Sequence, residues 1–193
     1  MSLMERFLPH HQFVVRHQAT VQCKPGELLD IIQNFQPPKD RVGDAAMRVR
    51  QLPARIMHWM APLWMPPPKP FTPASFTPLD RDGDREMVGG LIGKFWRADF
   101  GLIDVQGPDA FLACNPPGTP KLILGFLAEP AGEASRLTIE TRVYCPDRTS
   151  LIMFTPYWLL IRPVSGLLRR RVLRAIREIA EQRAHGPDGL RAI

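Results

Sequence analysis

Glu140 and Arg142 stand two residues apart in the run Arg136-Leu137-Thr138-Ile139-Glu140-Thr141-Arg142-Val143. In an extended strand that spacing puts both on one face, together with Thr138. If the face meets solvent, they form an ion pair of little energetic weight. If it lines a cavity, each charge needs a buried partner, and Arg142 could hold a ligand carboxylate through two parallel hydrogen bonds. The surface reading is slightly preferred, and both residues stay candidates for ligand contact. Arg97, between Trp96 and Asp99, poses the same question. His58, Asp99 and Glu140 are the groups suited to acid or base work, and cyclase or dehydratase chemistry needs little more than a shaped apolar pocket and one such group. No residue is assigned a catalytic role.

Other chemistries find no motif. His10, His11 and His17 lie near the N-terminus, His58 and His185 are isolated, and none forms H-E-x-x-H or joins a cysteine at finger spacing. Neighbouring His10 and His11 would point to opposite faces of a strand, a poor ligand pair. There is no G-x-S-x-G, and Gly89, Gly90 and Gly93 lack the spacing of a dinucleotide loop. The expectation is therefore no metal and no cofactor.

Length and composition set the frame. The chain has 193 residues, 45% hydrophobic and 23% charged, which suits one globular domain. Lys plus Arg is 25 against 19 Asp plus Glu, a net charge of +6, and the excess gathers near the end. From Arg162 to Arg191 eight Arg face only Glu178, Glu181 and Asp188. Such a segment is first read as a solvated helix face; contact with an anionic membrane is the weaker alternative, and no nucleic acid is expected. Cys23, Cys114 and Cys145 are sparse and odd in number, which speaks for a reducing compartment. Met1 to Gln12 lacks the apolar core of a signal peptide, and the longest largely apolar run, 151–161, is far short of a span of about 20 residues. A cytoplasmic location is expected.

The elements that must position these groups read as follows. His11 to Gln18 is a strand, and Pro25 opens a helix with Leu28, Leu29, Ile31, Ile32 and Phe35 on its apolar face. A second helix covers roughly 44–60. Pro62, Pro66, Pro67, Pro68, Pro70, Pro73 and Pro78 then form an apolar crossing over 62–78, a stiff connection or a pocket rim. Strands follow over 86–96, 101–105, 110–114, 121–129 and 136–145, the last two joined by a five-residue turn. A helix capped near Asp147 runs to about Arg183, with Pro156 and Pro163 able to kink it. Its first half, 151–161, is apolar on every side and should be enclosed. Its second half carries the stripe Leu168, Val172, Ile176 and Ile179 opposite Arg170, Arg174, Arg177, Glu178 and Glu181.

The order strand, two helices, β-meander and long terminal helix resembles the START-like, helix-grip superfamily, also called SRPBCC. "HHQFVVRH" with "KPGELLDII" looks like its opening strand and helix. "RLTIETRVYC" with "RPVSGLLRRRVLRAIREIAE" looks like the last strand and gripped helix of an uncharacterised bacterial branch. The resemblance covers roughly Gln12 to Ala184 and brings no catalytic motif; the proline-rich crossing departs from the usual pattern. It implies an α+β helix-grip fold, a curved antiparallel sheet wrapped around the C-terminal helix, as a single domain over 1–193 with its core at 12–184 and a short tail at 185–193.

The function expected on these grounds is binding of a small hydrophobic molecule, lipid or polyketide-like, between sheet and helix. Trp96, Leu124, Phe126, Glu140, Arg142, Phe154, Trp158 and Ile161 are the candidate lining. The alternatives are a cyclase or dehydratase acting on a polyketide-like substrate, and an interaction module that uses the basic helix.

Overall fold

The computed structural model describes residues 2–35, 75–97 and 99–184. The expected helix at 44–60, His58, the proline-rich stretch up to residue 74 and the tail at 185–193 lie outside these residues. The elements are α1 (Leu3–Phe7), β1 (Phe13–Val21), α2 (Pro25–Gln33), β2 (Thr77–Asp82), β3 (Glu86–Ile92), α3 (Gly107–Ala113), β4 (Lys121–Ala131), β5 (Ala134–Tyr144) and α4 (Arg148–Ala184). The five strands form one antiparallel sheet in the order β1-β5-β4-β3-β2. The fold is α+β, with the C-terminal helix packed against the sheet.

Each face of the sheet has its own cover. Alternation sends Leu137, Ile139, Thr141 and Val143 of β5 to one face, here the inner face, where α2 and α4 lie. At one end of that face Val21, Leu28, Leu29, Leu137, Leu173 and Ile176 pack together. At the other end Leu91, Phe95, Val143, Phe154, Trp158 and Ile161 do so. The outer face is covered by α1 and α3, through Met4, Phe7, Val88, Ile92, Phe111 and Ile123. Glycines make that close approach possible. A Cβ on Gly90 would meet the Phe111 ring at 2.6 Å, and one on Gly125 would collide with the Met4 thioether.

α1 has no counterpart in the sequence reading. Its five residues are too few for a periodic signal, and it is fixed from outside. Buried Glu86 accepts from the Ser2 hydroxyl at 2.7 Å and from the Leu3 amide at 2.9 Å, so a carboxylate meets the open amides of the first turn.

Several expectations are corrected. Residues 110–114 are helical, not a strand: Pro108 suits a first turn, Asp109 complements it, and buried Lys121 closes the other end by donating to the Phe111 and Leu112 carbonyls at 2.7 and 3.1 Å. Residues 101–105 contribute only a single bridge, Ile103 to Ile92. β2 was hidden by the prolines around it; Pro78 is accommodated on an edge strand at a register shift. The β4–β5 turn is two residues, Gly132-Glu133, with Gly132 at φ +68°. Asp147 does cap α4, accepting from the Ser150 amide at 2.7 Å. The first half of α4 is not enclosed: Phe154, Tyr157, Trp158 and Ile161 are buried, whereas Ile152, Met153, Leu159 and Leu160 are exposed. Sheet contact is available to only one side of a helix, so the other side keeps its apolar residues in solvent.

Candidate functional site

β1 and β5 together set the polar groups on the inner face. Val15 pairs with Thr141 and His17 with Ile139, so His17 and Thr141 are diagonal neighbours on the same side. Thr141 is buried and accepts a hydrogen bond from Arg169 Nη2 of α4 at 2.7 Å. The Nε2 of His17 is buried and has no hydrogen-bond partner among the described residues. Burial pushes the His17 imidazole below its ordinary value, and the positive charges of Arg169 and Arg170 push in the same direction. The ring is therefore neutral at pH 7. The Tyr157 hydroxyl, on the same side of α4 as Phe154 and Trp158, is also buried without a partner among the described residues.

Apolar surface surrounds this polar centre and is only partly buried. Leu124, Phe126, Met87 and Ala19 lie toward the α2 end, and Phe13, Val15, Phe76 and Trp96 toward the aromatic end. Phe154 is the hub of the aromatic end. Its ring centre lies 5.0 Å from Phe13, 5.7 Å from Tyr157, 5.8 Å from Trp158 and 6.1 Å from Phe95.

Glu140 and Arg142 are elsewhere. They lie on the outer face, beneath α1, and so do not line a space between the sheet and α4, as their candidacy required. Nor are they a solvent-exposed pair, since each is 7% exposed. Glu140 accepts from Arg142 Nε at 2.6 Å and from Arg16 at 2.7 Å; Arg142 also pairs with Glu5 at 2.6 Å. Burial works to raise the Glu140 carboxyl, but the hydrogen bonds and charges of Arg142 and Arg16 outweigh it and hold it below the usual carboxylate range. The parity of β5 decides the matter: Thr141 faces α4, so residues 140 and 142 cannot.

A groove of about 330 Å³ borders these charges, with Ser2, Glu5, Arg16, Gln18, Glu86 and Thr138 in its wall. Arg16, Glu140, Arg142 and Glu5 in it are already matched to one another, and Glu86 is committed to α1. Filling it with a charged ligand would mean breaking those pairs. Asp99 is occupied too, accepting from Arg97 at 3.1 Å and from the Gly101 amide at 3.2 Å.

Of the eight candidate lining residues, Trp96, Leu124, Phe126, Phe154, Trp158 and Ile161 belong to the two inner-face clusters, and Glu140 and Arg142 are set apart from them. The sequence reading missed His17, Thr141, Tyr157 and Arg169. One signal was available: Thr141 interrupts an otherwise apolar strand face, and His17 interrupts the alternate positions Phe13, Val15 and Ala19. Arg169 could not be paired with either from spacing alone. Among the described residues no three His, Cys, Asp or Glu gather as metal ligands.

Comparison with known proteins adds little. No protein-family model matches the chain, and no curated protein does. Among solved structures, DR_A0006 from Deinococcus radiodurans is similar over 87% of this chain and 98% of its own, with 13% identity and a TM-score of 0.32. TTHA0849 from Thermus thermophilus is similar over 84% of this chain and 99% of its own, with 8% identity and a TM-score of 0.29. Likenesses of this size carry no argument about fold family or activity.

Proposed function

We propose that this protein binds a small amphipathic molecule, lipid or polyketide-like, between the inner face of its sheet and α4, in a helix-grip arrangement and without catalysing a reaction. The observation that carries this reading is the pairing of polar groups with the surface around them. An imidazole nitrogen, buried and without a partner among the described residues, sits beside the Arg169–Thr141 hydrogen bond, in the middle of half-buried apolar side chains. An unsatisfied buried polar atom is costly, about 1–3 kcal/mol. A ligand that supplies its partner removes that cost. Apolar burial at about 25 cal/mol per Å² then provides the affinity, and the polar groups set the orientation.

The arrangement suits a ligand with a hydroxyl or carboxyl head and an apolar body. The Arg169 guanidinium, already bonded to Thr141, is the positive group toward which an anionic or carbonyl oxygen of the ligand would be drawn, while neutral His17 accepts from a hydroxyl or donates to an oxygen, according to its tautomer. The body would lie against Leu124 and Phe126 or against Phe13 and Trp96. The three cysteines are free, which accords with a cytoplasmic setting.

Displacement of a fluorescent fatty-acid analogue tests the reading. The wild type should bind the probe and release it to unlabelled fatty acid, and Arg169→Met should weaken binding about tenfold or more. Glu140→Gln, on the other face, should bind as the wild type does. Probe binding that Glu140→Gln abolishes and Arg169→Met leaves alone would move the site to the outer groove and end this reading.

A further inference from the structure

We propose that the outer side of α4 is a peripheral membrane contact that takes an anionic bilayer surface. Four large apolar side chains stand in solvent on this helix: Ile152 at 69%, Leu159 at 63%, Leu160 at 53% and Met153 at 42% exposure. With the exposed prolines 156 and 163 they recur every three or four residues, which makes one stripe down the side of the helix turned away from the sheet. The charges beside the apolar stretch are of one sign. Exposed Arg148 and Arg162 flank the stripe, and exposed Arg170 and Arg174 continue the solvent side of the same helix, up to exposed Glu178 and the Arg177–Glu181 ion pair at 2.7 Å. No Asp or Glu occurs from Arg148 to Arg177.

That combination selects the partner. A helix lying in the headgroup region buries its apolar side chains at the acyl boundary while its arginines meet lipid phosphates. Two copies joined through the 152–163 stripe would set Arg148 and Arg162 against their counterparts, with Glu178 and Glu181 lying beyond the stripe, which disfavours self-association. The helix lies on the bilayer and does not cross it: among the described residues no helix is long and apolar enough to span a membrane. The contact uses the side of α4 opposite Phe154, Trp158 and Ile161, so it stands or falls independently of the ligand reading.

Flotation with vesicles decides it. The full chain should rise with vesicles of phosphatidylcholine and phosphatidylglycerol at low salt, and stay behind with phosphatidylcholine alone. Leu159→Asp combined with Leu160→Asp should weaken binding at least about tenfold. The circular-dichroism spectrum and melting temperature should not change, because both side chains are in solvent. Ile152→Ser offers a gentler second variant, with a smaller loss in the same direction. Three results would overturn the proposal: no flotation with anionic vesicles; flotation that survives both apolar variants, which is adsorption by charge alone; or a concentration-dependent dimer in light scattering that the Leu159 and Leu160 changes dissolve, which makes a second copy the occupant.

Discussion

Replacing Glu140 with Gln separates the structural role of the outer face from the function of the inner one. Glu140 and Arg142 have side chains that are each 9% exposed, joined at 2.6 Å, and Arg16 adds a second contact to Glu140 at 2.6 Å. Removing one partner of a buried pair costs about 3–5 kcal/mol, mostly through the charge left behind. Arg142 keeps Glu5 at 2.6 Å, and Arg16, with a side chain 58% exposed, can turn to water. The Gln oxygen still accepts one bond, so the loss should fall below that range, at about 2–3 kcal/mol. For a chain of this length that is a drop of roughly 4–12 °C in Tm. Urea unfolding followed by tryptophan fluorescence measures it, with an unchanged m-value showing that the unfolded state is unaltered. The pH dependence has a fixed sign. The folded carboxyl is held below its ordinary value of 4.5, so its contribution is present above that pH and lost as pH falls through the lower folded value. Wild type and variant should therefore converge on acidification. Equal stability at pH 7, or a gap that widens in acid, would refute the clasp that Glu140 and Arg142 are held to make beneath α1.

Other expectations follow from the same structure. His17→Leu should leave unfolding free energy at pH 8 unchanged or higher by about 1 kcal/mol, because it removes an unsatisfied buried nitrogen. The wild type should lose stability as pH falls below the ordinary histidine value of 6.5, where the unfolded chain takes up the proton first, and the variant should lack that slope. A lower stability for His17→Leu at pH 8 would mean that Nε2 has a partner after all. Burial, with Glu27 and Asp147 respectively, pushes the Cys23 and Cys145 thiols up to about 11. At pH 8 only about a thousandth of each is thiolate, so iodoacetamide should label half-buried Cys114 first and the other two only in urea, as read by mass. Equal labelling of all three in the folded protein would contradict the burial of Cys23 and Cys145.

Much of the fold was legible in the sequence because its signals are local. The β4–β5 hairpin announces itself through alternation on either side of Gly132, and α2 through Pro25 and its apolar face. What escaped depends on distant partners. α1 is only five residues long and is held by Glu86, more than eighty positions away. α3 read as a strand because Phe111 and Leu112 are also good strand residues; its ends are fixed by Pro108 and by Lys121 reaching back from β4. Gly90 and Gly125 make room for Phe111 and Met4, partners far along the chain. The candidate site was half legible for the same reason. Phe154, Trp158 and Ile161 recur at helix spacing along α4, but the face on which Glu140 and Arg142 fall is set by strand parity relative to a helix, which no local pattern records.

Native mass spectrometry of the protein, purified without detergent and then mixed with a saturating fatty acid, tests the central claim most directly. Ligand enclosure between the sheet and α4 predicts a one-to-one adduct, either carried through purification or formed on mixing, that weakens sharply in Arg169→Met and persists in Glu140→Gln. A bare mass for the wild type under both conditions, or an adduct indifferent to Arg169, would contradict a binding site on the inner face.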